Sequence, residues 1–172
     1  EELSKLGNEI DVLPLEKVRN LSQYDAVVLG APMIMGWHKD ALNFLKKNKN
    51  ELSKIPLFIF ATAMNLTKPE KTENQKINLH VDEKLAQPPT KAGRLTFKEN
   101  WASVNHYLQP IVKASPTSLR AVSFFGGRLD YYRLKWWEAA FVMLIIGAKP
   151  GEKRNWPDIR AWAASLQELL EG

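Results

Sequence analysis

Tyr24 to Leu45 reads YDAVVLGAPMIMGWHKDALNFL. Within it, Asp25-Ala-Val-Val-Leu-Gly30 is a short apolar run, β-branched in its middle and closed by a glycine. That composition suits a strand covered on both faces, as in a parallel sheet. Pro32 and Gly36 then break the pattern. From His38 onward Ala41, Leu42 and Leu45 recur at helical spacing, with Lys39, Asp40, Asn43 and Lys46 between them, so the segment predicts an amphipathic helix. The unit is strand, exposed loop, helix. In an open parallel α/β sheet, ligands sit outside the carboxyl ends of the strands, which makes Ala31 to Trp37 the first candidate binding loop.

Outward from this unit the alternation continues. Glu1 to Gly7 reads as the last turns of a helix stopped by a glycine cap, Ile10 to Leu15 as a strand, and Glu16 to Ser22 as a short helical turn. Lys54 to Ala63, KIPLFIFATA, predicts a second buried strand. Residues 67–97 are polar, carry prolines at 69, 88 and 89, and show one weak helical pattern around Ile77 to Leu85; they read as an insertion that packs little core of its own. Glu99 to Ala114 predicts one amphipathic helix with Trp101, Val104, Leu108 and Ile111 on one side. Leu119 to Phe125 predicts a further strand, and Tyr131 to Ala148 and Asp158 to Leu170 two more helices. Trp101, Trp156 and Trp162 are expected to be core or half-buried. Strands alternating with helices argue for a single α/β domain over residues 1–172, with a parallel sheet and a polar insertion at about 67–97.

Composition excludes several chemistries. A chain of 172 residues with 45% hydrophobic and 25% charged residues is ordinary for a globular domain, which rules out a disordered or fibrous reading. The absence of cysteine excludes disulfides, thiolate metal sites and cysteine nucleophiles, and suits a reducing cytoplasm. The net charge of +5 is spread along the chain rather than gathered in blocks, so it reads as a solvated basic surface and not as a nucleic-acid footprint. His38, His80 and His106 have no acidic partner at ligand spacing, and no metal site is expected. None of the G-x-S-x-G, H-E-x-x-H or GK[ST] motifs occurs.

Three motifs point to a family. Tyr24-Asp-Ala-Val-Val-Leu-Gly-Ala-Pro32 with Met35-Gly36, then Phe125-Gly-Gly-Arg-Leu-Asp-Tyr131, then Gly151-Glu-Lys-Arg-Asn-Trp-Pro-Asp-Ile-Arg-Ala-Trp162 resemble the flavodoxin-domain family. Within it they are most similar to the group that includes the menaquinone-dependent protoporphyrinogen IX dehydrogenases. The resemblance implies a flavodoxin-like open parallel sheet with helices on both faces, strand order 2-1-3-4-5, and FMN at the carboxyl ends of the strands. Family members begin with a strand and a Ser/Thr-rich phosphate loop, and this sequence opens beyond both, so it is expected to be N-terminally truncated.

The same resemblance implies the site. Pro32, Ile34, Met35, Gly36 and Trp37 would lie beside the flavin ring, where Gly36 allows close backbone approach. Phe125, Gly126, Gly127, Arg128, Leu129 and Tyr131 would form the facing loop. Arg128 has the charge that stabilises an anionic reduced flavin, Tyr131 is a stacking ring, and Asp130 is the cap of the next helix. Thr62 and Asn65 complete the set; no catalytic residue is singled out. The implied activity is an FMN-dependent oxidoreductase that passes electrons from an organic substrate, such as a porphyrinogen, to a quinone. The alternative is a flavodoxin-like electron carrier or binding module. The 131–148 helix adds an expectation of its own. Its all-round apolar run, Ala139 to Ala148, is short of the roughly 20 residues a membrane span needs. Flanked by Trp136, Trp137 and basic residues, it suits peripheral contact with the inner face of a membrane.

Overall fold

The computed structural model describes residues 1–33, 36–68, 77–91, 93–130 and 151–171. The elements in chain order are α1 (Glu2–Lys5), a 3-10 turn (Leu15–Lys17), β1 (Val27–Pro32), α2 (Lys39–Lys47), α3 (Lys49–Leu52), β2 (Leu57–Ala63), β3 (Leu66–Thr67), β4 (Asn78–Val81) and β5 (Ala86–Gln87). There follow α4 (Phe97–Trp101), α5 (Val104–Ala114), β6 (Leu119–Gly126), β7 (Arg128–Leu129), β8 (Gly151–Glu152) and α6 (Trp156–Glu171). The main sheet has the order β1-β2-β6-β4, and every pair in it is parallel.

Register follows from the buried runs. Val27 pairs with Leu57 and Pro32 with Thr62; Phe58 pairs with Ala121 and Ala63 with Gly126. The carboxyl ends of three strands therefore finish level. One face carries α2 and α5, whose Ala41, Leu45, Leu108 and Ile111 pack on Leu29, Ile59 and Val122. On the other face α6 lays Trp162 and Leu166 over Phe58, Ala121 and Phe125, with Leu3 of α1 beside them. Helices on both faces of a parallel sheet are thus present. Leu45, Leu108 and Ile111 are wholly buried, as the i, i+3, i+4 spacing requires.

Several expectations are corrected. Ile10 to Leu15 is not a strand: Ile10, Val12 and Leu13 are exposed, Val12 by 88%. Its apolar alternation supplies a face, but a strand forms only beside a partner, and none of the described strands lies there. For the same reason β1 is an edge strand among the described residues, covered on one face only, with Val28 41% exposed on the other. The weak helical pattern at Ile77 to Leu85 resolves instead into β4, which extends the sheet beyond β6, pairing Asn78 with Ala121 and Val81 with Phe124. Leu79 and Val81 pack against the core, and Leu85 is buried. The helix expected from Glu99 to Ala114 is two helices. Ser103 interrupts it, its hydroxyl accepting from the His106 N–H at 3.2 Å as the N-cap of α5. The break turns Trp101 out of the core, 40% exposed; Trp156 is likewise 46% exposed, and of the three tryptophans Trp162 alone is buried.

Candidate functional site

At the carboxyl edge of the sheet, β1, β2 and β6 bring together residues far apart in the chain. Pro32 and Thr62 are register partners, as are Thr62 and Phe125. The Met33 N–H donates to the Thr62 carbonyl at 2.9 Å and the Gly127 N–H to the Ala63 carbonyl at 2.8 Å, so the ladder runs past the last paired residues. Gly127 lies against Thr62, close enough that a methyl on it would touch the threonine Cβ at 3.4 Å. Pro32 is exposed and Thr62 half-buried. The loop after β1 is closed by an isolated antiparallel bridge between Met33 and Trp37. Gly36 has φ 136°, a conformation that side-chain-bearing residues rarely adopt.

Two candidates face inward. Trp37 is 8% exposed, and its Nε1–H donates to the Tyr107 carbonyl at 2.6 Å. That bond ties the loop to α5; burial of the same residue pushes the Tyr107 phenol above its ordinary pKa. Phe125 is 2% exposed, its ring 5.4 Å from Trp162 and 6.4 Å from Phe60. Both rings are therefore committed to the core, where apolar area is best removed from water. Ile34, Met35 and Tyr131, the 131–148 helix, and residues 69–76 and 92 of the insertion lie outside the described residues.

The facing loop is held by contacts that sequence reasoning did not find. A methyl on Gly126 would stand 2.0 Å from the Lys153 carbonyl oxygen, so only glycine lets the segment after β8 cross here. The Lys153 N–H donates to the Gly127 carbonyl at 2.9 Å, and its Nζ donates to the Met64 carbonyl (2.7 Å) and to Asn65 Oδ1 (2.9 Å). Lys153 thus clamps the ends of β2 and β6 together, and Asn65 is one of its anchors. Arg128 and Leu129 pair with Glu152 and Gly151. Arg128 is not a lone cation, because its Nη2 sits 2.8 Å from Asp130. Glu152 is held at a pKa of about 2, chiefly by its hydrogen bond from Arg154, with the Arg128 charge contributing. A cleft of about 420 Å³ opens between these residues.

A second cleft of about 440 Å³ lies along β4, beside the pair His80 Nε2···Asp158 Oδ2 at 2.9 Å. The two residues are 78 positions apart, and no local spacing signals the contact. The pair joins the sheet edge to the first turn of α6, where Asp158 also suits the helix dipole.

Compared with known families, residues 1–155 match the flavodoxin domain. The chain belongs to the flavodoxin-domain family. Comparisons with curated proteins and with solved structures found no match. Membership brings flavin-binding, electron-transfer capacity, at the level of the domain family and not of the protoporphyrinogen IX dehydrogenase group within it. What the level strand ends offer the ring of such a flavin is a candidate ledge. Pro32 and Thr62 meet there as register partners, Gly127 lies against Thr62, and a bulky side chain at Gly127 would crowd that threonine. For a phosphate the fit is poorer among the described residues, since Lys153 is engaged by Met64 and Asn65 and Arg128 by Asp130.

Proposed function

We propose that this flavodoxin domain is an FMN-dependent oxidoreductase that takes electrons from an organic donor, a porphyrinogen being the substrate class its motifs resemble, and delivers them to a quinone. The observation that supports it is the level meeting of Pro32, Thr62 and Gly127 at the carboxyl edge of a parallel sheet. The bound FMN would supply the redox chemistry. The chain's own part is positioning. Pro32 and Thr62, with Gly36 in the adjoining loop, would seat the ring, Gly127 would leave room beside Thr62, and Lys153 fixes the spacing between the strand ends. Arg128 raises the local potential, but less than a free cation does, because Asp130 neutralises part of its charge. A reducing cytoplasm, at the inner face of a membrane through residues 131–148, is the location we propose.

The test is a titration of the chain with riboflavin and with FMN, followed by oxidation of a porphyrinogen with a soluble menaquinone analogue as acceptor. Binding of both flavins with affinities within about tenfold, a gap of 1.4 kcal/mol, and donor oxidation that needs both flavin and quinone, are expected. Absence of flavin binding, or its indifference to Gly127→Leu, refutes the ledge. Flavin binding without substrate-dependent quinone reduction assigns the chain to the electron carriers instead.

A further inference from the structure

Phe97 and Trp101 are among the most exposed aromatic side chains described, 78% and 40%, although each has apolar area that folding normally buries. Four positions apart on α4, they share one face, with ring centroids 6.0 Å apart. Trp101 continues the row to His106, 5.3 Å away. Exposed Lys91, Arg94 and Lys98 surround the pair in sequence. Glu99 is the single carboxylate between residues 91 and 113, so cations outnumber anions along this stretch. It accepts from the Thr90 N–H and hydroxyl (2.7 and 2.6 Å) and from the Thr96 N–H (2.7 Å), which staples the 90–96 loop to α4. Those bonds, led by the Thr90 hydroxyl, hold its pKa at about 2. The fold therefore builds a platform of two exposed aromatic rings on one helix face, with exposed cations close by in sequence and one carboxylate that staples the preceding loop to the helix.

Its position is as specific as its chemistry. The Thr67 N–H donates to the Ala102 carbonyl at 2.7 Å, and α5 then runs back from Val104 to Ala114 before β6 begins. The platform thus stands at the carboxyl end of the sheet, the end that carries Pro32, Thr62 and Gly127. His106 adjoins Tyr107, whose carbonyl holds Trp37 in the loop after β1.

We propose that Phe97 and Trp101, together with the exposed Lys91, Arg94 and Lys98 of the same stretch, dock this end of the molecule on an anionic lipid bilayer. Tryptophan and phenylalanine partition to the headgroup boundary, and each Lys or Arg near an anionic surface strengthens binding about fivefold. No helix among the described residues is long and apolar enough to cross a membrane, and a contact made through the five-residue α4 is a surface contact. It would present the candidate flavin ledge to lipid-soluble electron acceptors, yet it rests on none of the flavin argument.

The experiment is co-sedimentation of the full chain, without flavin, with vesicles of equal parts phosphatidylglycerol and phosphatidylcholine, or of phosphatidylcholine alone. Expected results are binding to the anionic vesicles at low salt, at least about tenfold weaker binding by Phe97→Ala/Trp101→Ala, and up to about a hundredfold by Lys91→Gln/Arg94→Gln/Lys98→Gln. Brominated phosphatidylcholine should quench wild-type tryptophan fluorescence more than that of Trp101→Phe, a variant that keeps an aromatic ring at this exposed position. Absence of sedimentation at low salt, or wild-type binding by the aromatic double variant, overturns the proposal. So does a dimer that the double variant abolishes, which assigns the patch to contact between copies.

Discussion

Gly126→Ala tests the clamp at the carboxyl edge most directly. The added methyl would stand 2.0 Å from the Lys153 carbonyl oxygen and 2.7 Å from its carbonyl carbon. Backbone, not a flexible side-chain tip, is what it meets, so the segment after β8 must move. Overpacking of this kind costs about 1 to 3 kcal/mol. Moving the segment also breaks the Lys153 N–H bond to the Gly127 carbonyl, about 1 kcal/mol more. The sum is about 2 to 4 kcal/mol, and at about 2 to 4 °C per kcal/mol for a domain of this size the midpoint falls by about 4 to 16 °C. Gly127→Ala is the matched control. Its methyl meets the Thr62 Cβ at 3.4 Å, an ordinary contact, and should cost less than about 1 kcal/mol. Thermal and urea unfolding of the two variants beside wild type give the comparison, with Lys153 amide exchange reporting whether the clamp opens locally. Equal midpoints for the two variants, both near wild type, would show that the Lys153 backbone does not cross Gly126.

Trp37→Phe keeps an aromatic ring, smaller than the indole, and removes the donor to the Tyr107 carbonyl. Urea unfolding should show a loss of about 1 to 3 kcal/mol for the buried acceptor left unpaired. Leu45→Ala, at a wholly buried position of α2, should cost about 2 to 5 kcal/mol in the same assay. The Glu99 staple carries a pH signature. Its carboxyl pKa is depressed from 4.5 to about 2, so its contribution is complete above pH 4.5 and is lost as pH falls through about 2. Protection of the Thr90 and Thr96 amides from hydrogen exchange should follow that window in wild type and be low at every pH in Glu99→Ala.

Much of the fold was legible because local periodicity and burial coincide in it. The strands at Val27–Pro32, Leu57–Ala63 and Leu119–Gly126, and the helix after His38, lie where continuous apolar runs and i, i+3, i+4 spacing put them. The misplaced elements are those in which local pattern and available partner part company. Ile10 to Leu15 has a strand's alternation and, among the described residues, no neighbouring strand to receive its hydrogen bonds, whereas Asn78–Val81 has a weak helical pattern and an edge of β6 beside it. At the carboxyl edge, glycine and proline mark where the chain leaves β1 and β6, because backbone reversals at strand ends favour those residues. Residue type could not say which aromatics face out. Trp37 and Phe125 fill the core, while Trp101 is turned to solvent by a serine cap two residues later.

What the sequence by itself determined is the alternation of buried strands and amphipathic helices, and with it a parallel sheet whose carboxyl ends carry the glycine-bearing loops. A chain's local period is fixed by the geometry of one strand or one helix. The tertiary structure alone decided the Lys153 clamp on Met64 and Asn65, the His80–Asp158 pair across 78 residues, and the outward platform of Phe97 and Trp101. Each depends on segments that meet only after the chain has closed on itself, where hydrogen-bond reach of about 3 Å and not sequence spacing selects the partner.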